Sequence, residues 1–401
     1  MVGTLIRQLR MERNYSQAGL AHGICAASYL SKIEQGQAEP GPEILDRLFE
    51  ALGVTYCRDE ALLRQAWDQL ERYLEARDQN EVEEQAACWL DAEAERLVYS
   101  DLNLWVGIYR TCRALDTPDC GAALKLLRQM APMEAQMDEQ QRYRYLLCTA
   151  EATSDPLQAL DCVTQAARWH SCAHVYWARA YFYFHLGQYS RCMETAERAY
   201  SMAAEEGDLY VLMWASFLMG SCCTDRDLAL AEKYYRRSIR LSRTAYPPLE
   251  HLAAYNLGAS YLEWGKQEQA LDWLERTEEI PGEETHNLLL HQKRALLYSA
   301  LGRKTEGWEE LRAAERILET GMQAEQENYA DMLCFARLIL EEKQQTPEFE
   351  TVTLRLCEQA GTKMGVGFRR FYSLYLVDVY RSQRRYKEAL WLMEQIELLK
   401  K

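Results

Sequence analysis

The chain has 401 residues, 48% of them apolar and 27% charged, the balance of a folded protein too long for one small domain. A net charge of -15 at pH 7 excludes a protein that grips polyanions by bulk charge, and no apolar run approaches a membrane span. Thirteen cysteines, without Cys-x-x-Cys spacing and adjacent only at Cys222 and Cys223, fit small buried residues in a reducing cytosol rather than a disulfide framework or a zinc site. Arg7 and Arg10 precede any apolar run long enough for a signal peptide, so a cytoplasmic protein without membrane attachment is expected.

Leu5, Ile6, Leu9 and Met11 give a first helix. Leu20 and Ala21 place a short second helix, Gly23 to Ala26 a turn, and Tyr29, Leu30 and Ile33 a third helix that Gly36 closes. Pro40 and Pro42 open another that ends at Leu52 and Gly53, so residues 3–53 are expected to form a compact five-helix domain. Ser16–Gly36 thus reads as a helix-turn-helix. In such a motif the second helix enters the major groove, here offering Ala27, Ser28, Tyr29, Ser31 and Lys32, while Ser16 and Gln17 at the start of the preceding helix are placed to hold a phosphate. Residues 1–58 carry six basic against six acidic side chains. A neutral module has little non-specific grip on DNA, which points to two copies on paired half-sites and hence to a homodimer on a double-stranded operator.

Ser16-Gln17-x-x-Leu20-Ala21 followed by Ser28-Tyr29-Leu30-Ser31-Lys32-Ile33-Glu34-x-Gly36 resembles the Cro/repressor (XRE) class of DNA-binding domains. More narrowly, Gly23-Ile24-Cys25-x-x-Ser28 through Gly36 is similar to the peptide-sensing PlcR and NprR type of regulator from Gram-positive bacteria. The resemblance is close over about the first 55 residues and architectural beyond them. It implies a buried structural pair between Arg10 and Glu34, since a buried charge is tolerated when paired. Ala26 departs from the serine or other polar residue common in this class, which makes Ser28 the expected capping hydroxyl.

Beyond residue 58 glycine and proline are sparse and no alternating β pattern appears, so the chain reads as helical, starting with one helix over 59–77. Ala123, Ala159, Cys192, Ala231, Ala270, Gly307 and Ala389 recur at spacings of 36, 33, 39, 39, 37 and 82, the last being two units. With Tyr183, Gly187, Tyr261, Gly265, Tyr298 and Gly302 in fixed relation to them, the pattern resembles tetratricopeptide repeats. The expected architecture is all-α: a helix-turn-helix domain at 1–58, then a right-handed TPR-like α-solenoid at 59–401 of about nine helix pairs, counting degenerate units at 59–97 and 323–361.

First helices of stacked pairs line the inner side of a solenoid, which nominates Arg144, His174, Trp177, Tyr181, His185, Tyr255 and Gln292 as ligand-facing. Asn256 lies one step off that face and enters through the resemblance, because these sensors use solenoid asparagines on peptide backbone. The same aromatic residues would serve equally as inter-repeat core, and His170, His174 and His185 have no metal-ligand spacing. No catalytic motif and no cofactor loop occur, so no enzymatic activity is expected. The resemblance implies a transcriptional regulator that senses a short peptide of the quorum-sensing type. Two alternatives stand beside it: an adaptor whose solenoid holds a protein segment, and a repressor without ligand.

Overall fold

The computed structural model describes residues 2–78, 81, 83–117, 120–321, 326–360 and 366–398. Their regular elements are all helices, with no strand among the described residues. Two compact units divide the chain, Met1–Arg179 and Ala180–Lys401.

In the first unit, residues 2–51 form four helices rather than five: α1 (Val2–Glu12), α2 (Gln17–Ala21), α3 (Ala27–Glu34) and α4 (Pro42–Ala51). Leu5, Ile6, Leu9, Leu20, Leu30, Ile33, Leu48 and Phe49 share one core. Met11 lies outside it, 59% exposed, because the stripe of α1 that meets this core ends at Leu9. α1 crosses α3 where Gly3 sits: a Cβ there would come 1.9 Å from the Ile33 carbonyl oxygen, so only glycine allows the approach. Gly36 ends α3 at φ +72°, with its N–H donating to the Ile33 carbonyl and that of Gln37 to the Lys32 carbonyl, a Schellman-type closure. After α4 the chain is irregular as far as residue 59 yet firmly tied. The Cys57 N–H donates to the Tyr99 carbonyl at 2.8 Å and the Tyr56 hydroxyl to Asp101 at 2.6 Å. Two further bonds, Gln8 to the Gln129 carbonyl and Gln136 to Thr4, fix α1 to the same unit. Hydrogen bonds rather than continuous helix therefore tie the join between these four helices and the rest of the unit.

Helix pairs then follow in succession: α5 (Glu60–Asp78) with α6 (Glu84–Leu97), α7 (Asn103–Leu115) with α8 (Cys120–Met130), and α9 (Glu139–Ala152) with α10 (Pro156–Trp169). Next come α11 (Ala173–His185), inside which the two units divide, and α12 (Tyr189–Glu206). The second unit continues with α13 (Leu209–Cys223) and α14 (Leu228–Ala245), α15 (Pro247–Glu263) and α16 (Gln267–Arg276), α17 (Glu284–Ala300) and α18 (Lys304–Gly321), α19 (Gln326–Leu340) and α20 (Pro347–Ala360), α21 (Val366–Ser382) and α22 (Tyr386–Leu398). These make nine pairs among the described residues; of the degenerate unit at 323–361, residues 323–325 and 361 lie outside them.

The small residues that announced the repeat are each the fourth residue of a second helix, and Ala123, Ala159, Cys192, Ala231 and Ala270 are all 0% exposed. Such a site lies against a neighbouring helix and admits no bulk. A Cβ at Gly307 would meet Leu340 Cδ2 at 2.7 Å and the Ala295 carbonyl oxygen at 3.2 Å. In α20 the fourth residue is Glu350, whose carboxylate takes Arg385 from the turn between α21 and α22, so this unit is silent in the repeat pattern. Rings fill the rest of the second unit: Phe335 stacks on Phe349 at 5.1 Å and meets Tyr372 edge-on at 5.0 Å, all three fully buried. Each such ring contributes about 2–3 kcal/mol of burial.

Candidate functional site

Burial dictates the geometry of the amino-terminal site. Glu34, 5% exposed, accepts from Arg10 Nε at 2.6 Å and Nη2 at 2.9 Å, and from Gln17 Nε2 at 2.8 Å. Burial alone would raise the Glu34 pKa, but the hydrogen bonds from Arg10 and Gln17 and the arginine charge outweigh it and hold the carboxyl below its ordinary range. One carboxylate thereby joins α1, α2 and α3. Arg47 adds a lock that sequence reasoning missed, donating to the Gly23 carbonyl at 2.6 Å in the turn between α2 and α3. An arginine in a polar helix face gives no local signal of such a bond.

With its inner side so held, α3 leaves Ala27, Ser28 and Lys32 exposed and Tyr29 and Ser31 half-buried. The Tyr29 hydroxyl donates to the Glu39 carbonyl, steadying the loop after α3, and Ser31 Oγ accepts from Gln35. Ser16 caps α2, its Oγ accepting from the Gly19 N–H at 2.9 Å. Gln17 is not a free phosphate ligand here, because its amide serves Glu34. Nor does Ser28 cap α3: the N-cap is Ala26, which has no side-chain hydrogen bond, and Ser28 lies inside the helix with its hydroxyl free for the outer face. The available surface is short and polar with one cation, as base-edge and phosphate contacts require.

The residues nominated for a ligand fall into distinct groups. In the first unit, Arg144 is held by Asp78 through two bonds of 2.9 and 2.7 Å. His174 and Trp177 are half-buried with ring centroids 5.2 Å apart. In the second unit, Tyr181 and His185 are exposed, their centroids 4.3 Å apart on α11, and Asn256 is half-buried. Tyr255 and Gln292, in contrast, are only 6% and 0% exposed. They do not face an open groove: Tyr255 meets His286 of α17 edge-on with ring centroids 5.4 Å apart, and a residue of α21 lies against Lys293, next to Gln292. Lys293 sits 3.6 Å from the Phe371 ring centroid, and Arg370 pairs with Asp225 while lying 4.9 Å from the Trp264 ring.

That layer holds charges the sequence reading passed over. Lys293, 1% exposed, lies 3.5 Å from Glu263. Burial pushes the Glu263 carboxyl up to about 7, with Asp225 adding to the rise and Lys293 opposing it, and burial also lowers the Lys293 pKa. The signal was present: Lys293 stands within Leu288-Leu289-Leu290-His291-Gln292-Lys293-Arg294-Ala295-Leu296-Leu297, too apolar on both sides for a solvated lysine.

Residues 6–57 match the helix-turn-helix family, and residues 173–206 match the tetratricopeptide repeat family. The chain carries a helix-turn-helix domain and a tetratricopeptide repeat. Among solved structures, this helix-turn-helix chain is similar to the apo form of the quorum sensor NprR from B. thuringiensis, with a TM-score of 0.66 and 14% identity over 85% of this chain and 100% of that one. It is similar also to a Rap protein complexed with Competence and Sporulation Factor, with a TM-score of 0.64 and 13% identity over 84% and 98%. NprR in complex with its cognate peptide NprX gives 0.59 and 16% over 82% and 99%. At these identities the likeness establishes the fold, a helical solenoid of the tetratricopeptide kind. No curated protein matches the sequence. Among the described residues no helix is long and apolar enough to cross a membrane.

Proposed function

We propose that the chain is a cytoplasmic transcriptional regulator. Its helix-turn-helix domain, residues 1–58, binds a double-stranded operator as part of a homodimer, and its solenoid, residues 59–401, senses a short peptide that controls this binding. The observation that carries the reading is α3: a helix fixed from within by Arg10, Gln17 and Glu34, presenting Ser28 and Lys32 outward, in a domain matched to a DNA-binding family. Ser31 sits at the edge of the same face. For the solenoid, support comes from the half-buried His174 and Trp177 in one unit, the exposed Tyr181 and His185 in the other, and a fold shared with NprR bound to its peptide. Aromatic faces beside polar groups suit an extended peptide. No catalytic role is proposed.

A second reading has one observation in its favour: the Rap protein gives nearly the same TM-score as apo NprR, 0.64 against 0.66. The solenoid would then hold a protein partner, with DNA binding secondary. One experiment separates the two. Thermal stability of the chain is measured against short peptides encoded beside its gene; a ligand at a hundred times its dissociation constant adds about 2.7 kcal/mol. Operator affinity is then measured with and without the peptide, where a tenfold change corresponds to about 1.4 kcal/mol of coupling. A peptide that stabilises the chain and shifts operator affinity supports the sensor. If no peptide does so and a protein partner binds instead, the adaptor reading replaces it.

A further inference from the structure

We propose that the outward face of α22 docks a second copy of this chain, the two α22 helices meeting antiparallel about a two-fold axis between Leu390 and Trp391. It rests on the dimeric reading above and names the surface that would make the dimer.

The inward face of α22 buries Ala389, Leu392 and Ile396. On the opposite face Leu390 and Trp391 stand 59% and 58% exposed, with Tyr386 at its edge, 64% exposed. Three large apolar side chains, each more than half exposed within six residues of one surface helix, are more than scattered exposure explains, and they call for a covering partner. The charges on this face say which partner. Lys387 lies three residues before Leu390 and Glu394 three residues after Trp391, both exposed. At 100° per residue Lys387 and Glu394 project along nearly one line, with Leu390 and Trp391 to either side of it. The pattern is therefore self-complementary. Turned about the midpoint of Leu390 and Trp391, the helix lays Lys387 opposite Glu394 of the second copy and Glu394 opposite that copy's Lys387, while the two apolar pairs meet in the centre. A closed two-fold interface needs this property, since the same patch must serve both sides. An unrelated partner has no reason to match it.

Sedimentation velocity of the full chain without DNA tests the assignment at about 50 µM and on dilution from it, a range in which micromolar association is visible. The wild-type chain is expected to be a dimer. L390E/W391E is expected to be monomeric, its dissociation constant raised by about a hundredfold or more, with unchanged helical content because both side chains are exposed. K387E places like charges together twice over by symmetry and is expected to weaken the dimer about tenfold. K387E/E394K restores both pairs with reversed sign and is expected to return to within about threefold of wild type. The proposal is overturned by a monomeric wild-type chain, by a dimer indifferent to L390E/W391E, or by a double reversal no better than K387E. A dimer with these responses that binds no DNA would leave this interface standing and remove the regulator reading. An operator-binding dimer indifferent to all three variants would do the reverse.

Discussion

Replacing Glu34 with alanine tests how the reading helix is held. The carboxylate accepts three hydrogen bonds, two from Arg10 and one from Gln17, and its side chain is 2% exposed. Removing one member of a buried ion pair costs about 3–5 kcal/mol when the other charge is left in the dry interior. Here Arg10 keeps the Tyr15 carbonyl through Nη1 at 2.8 Å and 12% side-chain exposure, so water and one acceptor remain and the lower end, about 3 kcal/mol, applies. In a unit the size of Met1–Arg179 that corresponds to a fall of about 6–12 °C in Tm. Thermal melts of the full chain followed by circular dichroism measure it, with E34L, R10M and R10M/E34L forming a double-mutant cycle. The double variant is expected within about 1 kcal/mol of wild type, since an apolar pair of similar volume replaces a buried ion pair at little loss. The pH dependence follows from the same contacts. Because the folded-state pKa of Glu34 is lowered, its contribution is fully present above the ordinary 4.5 and is lost as pH falls through the lowered value. A Tm for E34A within about 2 °C of wild type, or costs for the two single variants that simply add, would refute the reasoning.

In the solenoid, Gly258→Ala sets a Cβ 2.7 Å from Leu274 Cγ and 3.2 Å from the Leu274 backbone nitrogen, so it is expected to cost about 1–3 kcal/mol; urea unfolding with no shift of midpoint would contradict this. Tyr181→Ala, at a residue 40% exposed, is expected to change stability by less than about 1 kcal/mol while removing the peptide response, whereas Tyr255→Ala costs about 3–5 kcal/mol, and the same urea curves with a peptide titration distinguish them. His291 is buried, which lowers its pKa, but Glu310 and Glu279 at its two nitrogens raise it further and the net shift is upward. Its contribution is therefore present below the ordinary 6.5 and is lost as pH rises through the raised folded value. H291Q is expected to flatten that part of the alkaline fall in urea stability, and an unchanged profile would show that His291 does not carry it.

What the sequence disclosed and what it withheld follow from range. The fourth-residue alanines of the second helices were legible because neighbouring helices meet there and the requirement for a small side chain recurs with every pair. The helix-turn-helix was legible because Leu20, Leu30 and Ile33 fill one small core and Gly36 must adopt a left-handed φ, both local demands. Tyr255 and Gln292 are buried rather than ligand-facing, Tyr255 against His286 of a helix in the next pair, and helical periodicity cannot report which neighbouring side chains close over a face. The fifth amino-terminal helix was counted in excess: the four helices of residues 2–51 already close the core, and α5 belongs to the first solenoid pair. Gln17 was read as a phosphate ligand because its place at a helix start suggested one, while its acceptor, Glu34, lies seventeen residues on.

The central claim is that α3 reads DNA, and the most direct measurement is selection of bound duplexes from a random pool by the purified chain, followed by fluorescence polarisation on the winner. Wild type is expected to enrich an inverted repeat whose half-sites lie about 10–10.5 base pairs, or a multiple, apart. Replacing Ser31 and Lys32 with alanine is expected to abolish binding without altering helical content. A pool that enriches nothing, or a variant that binds the selected duplex as tightly as wild type, would contradict the account.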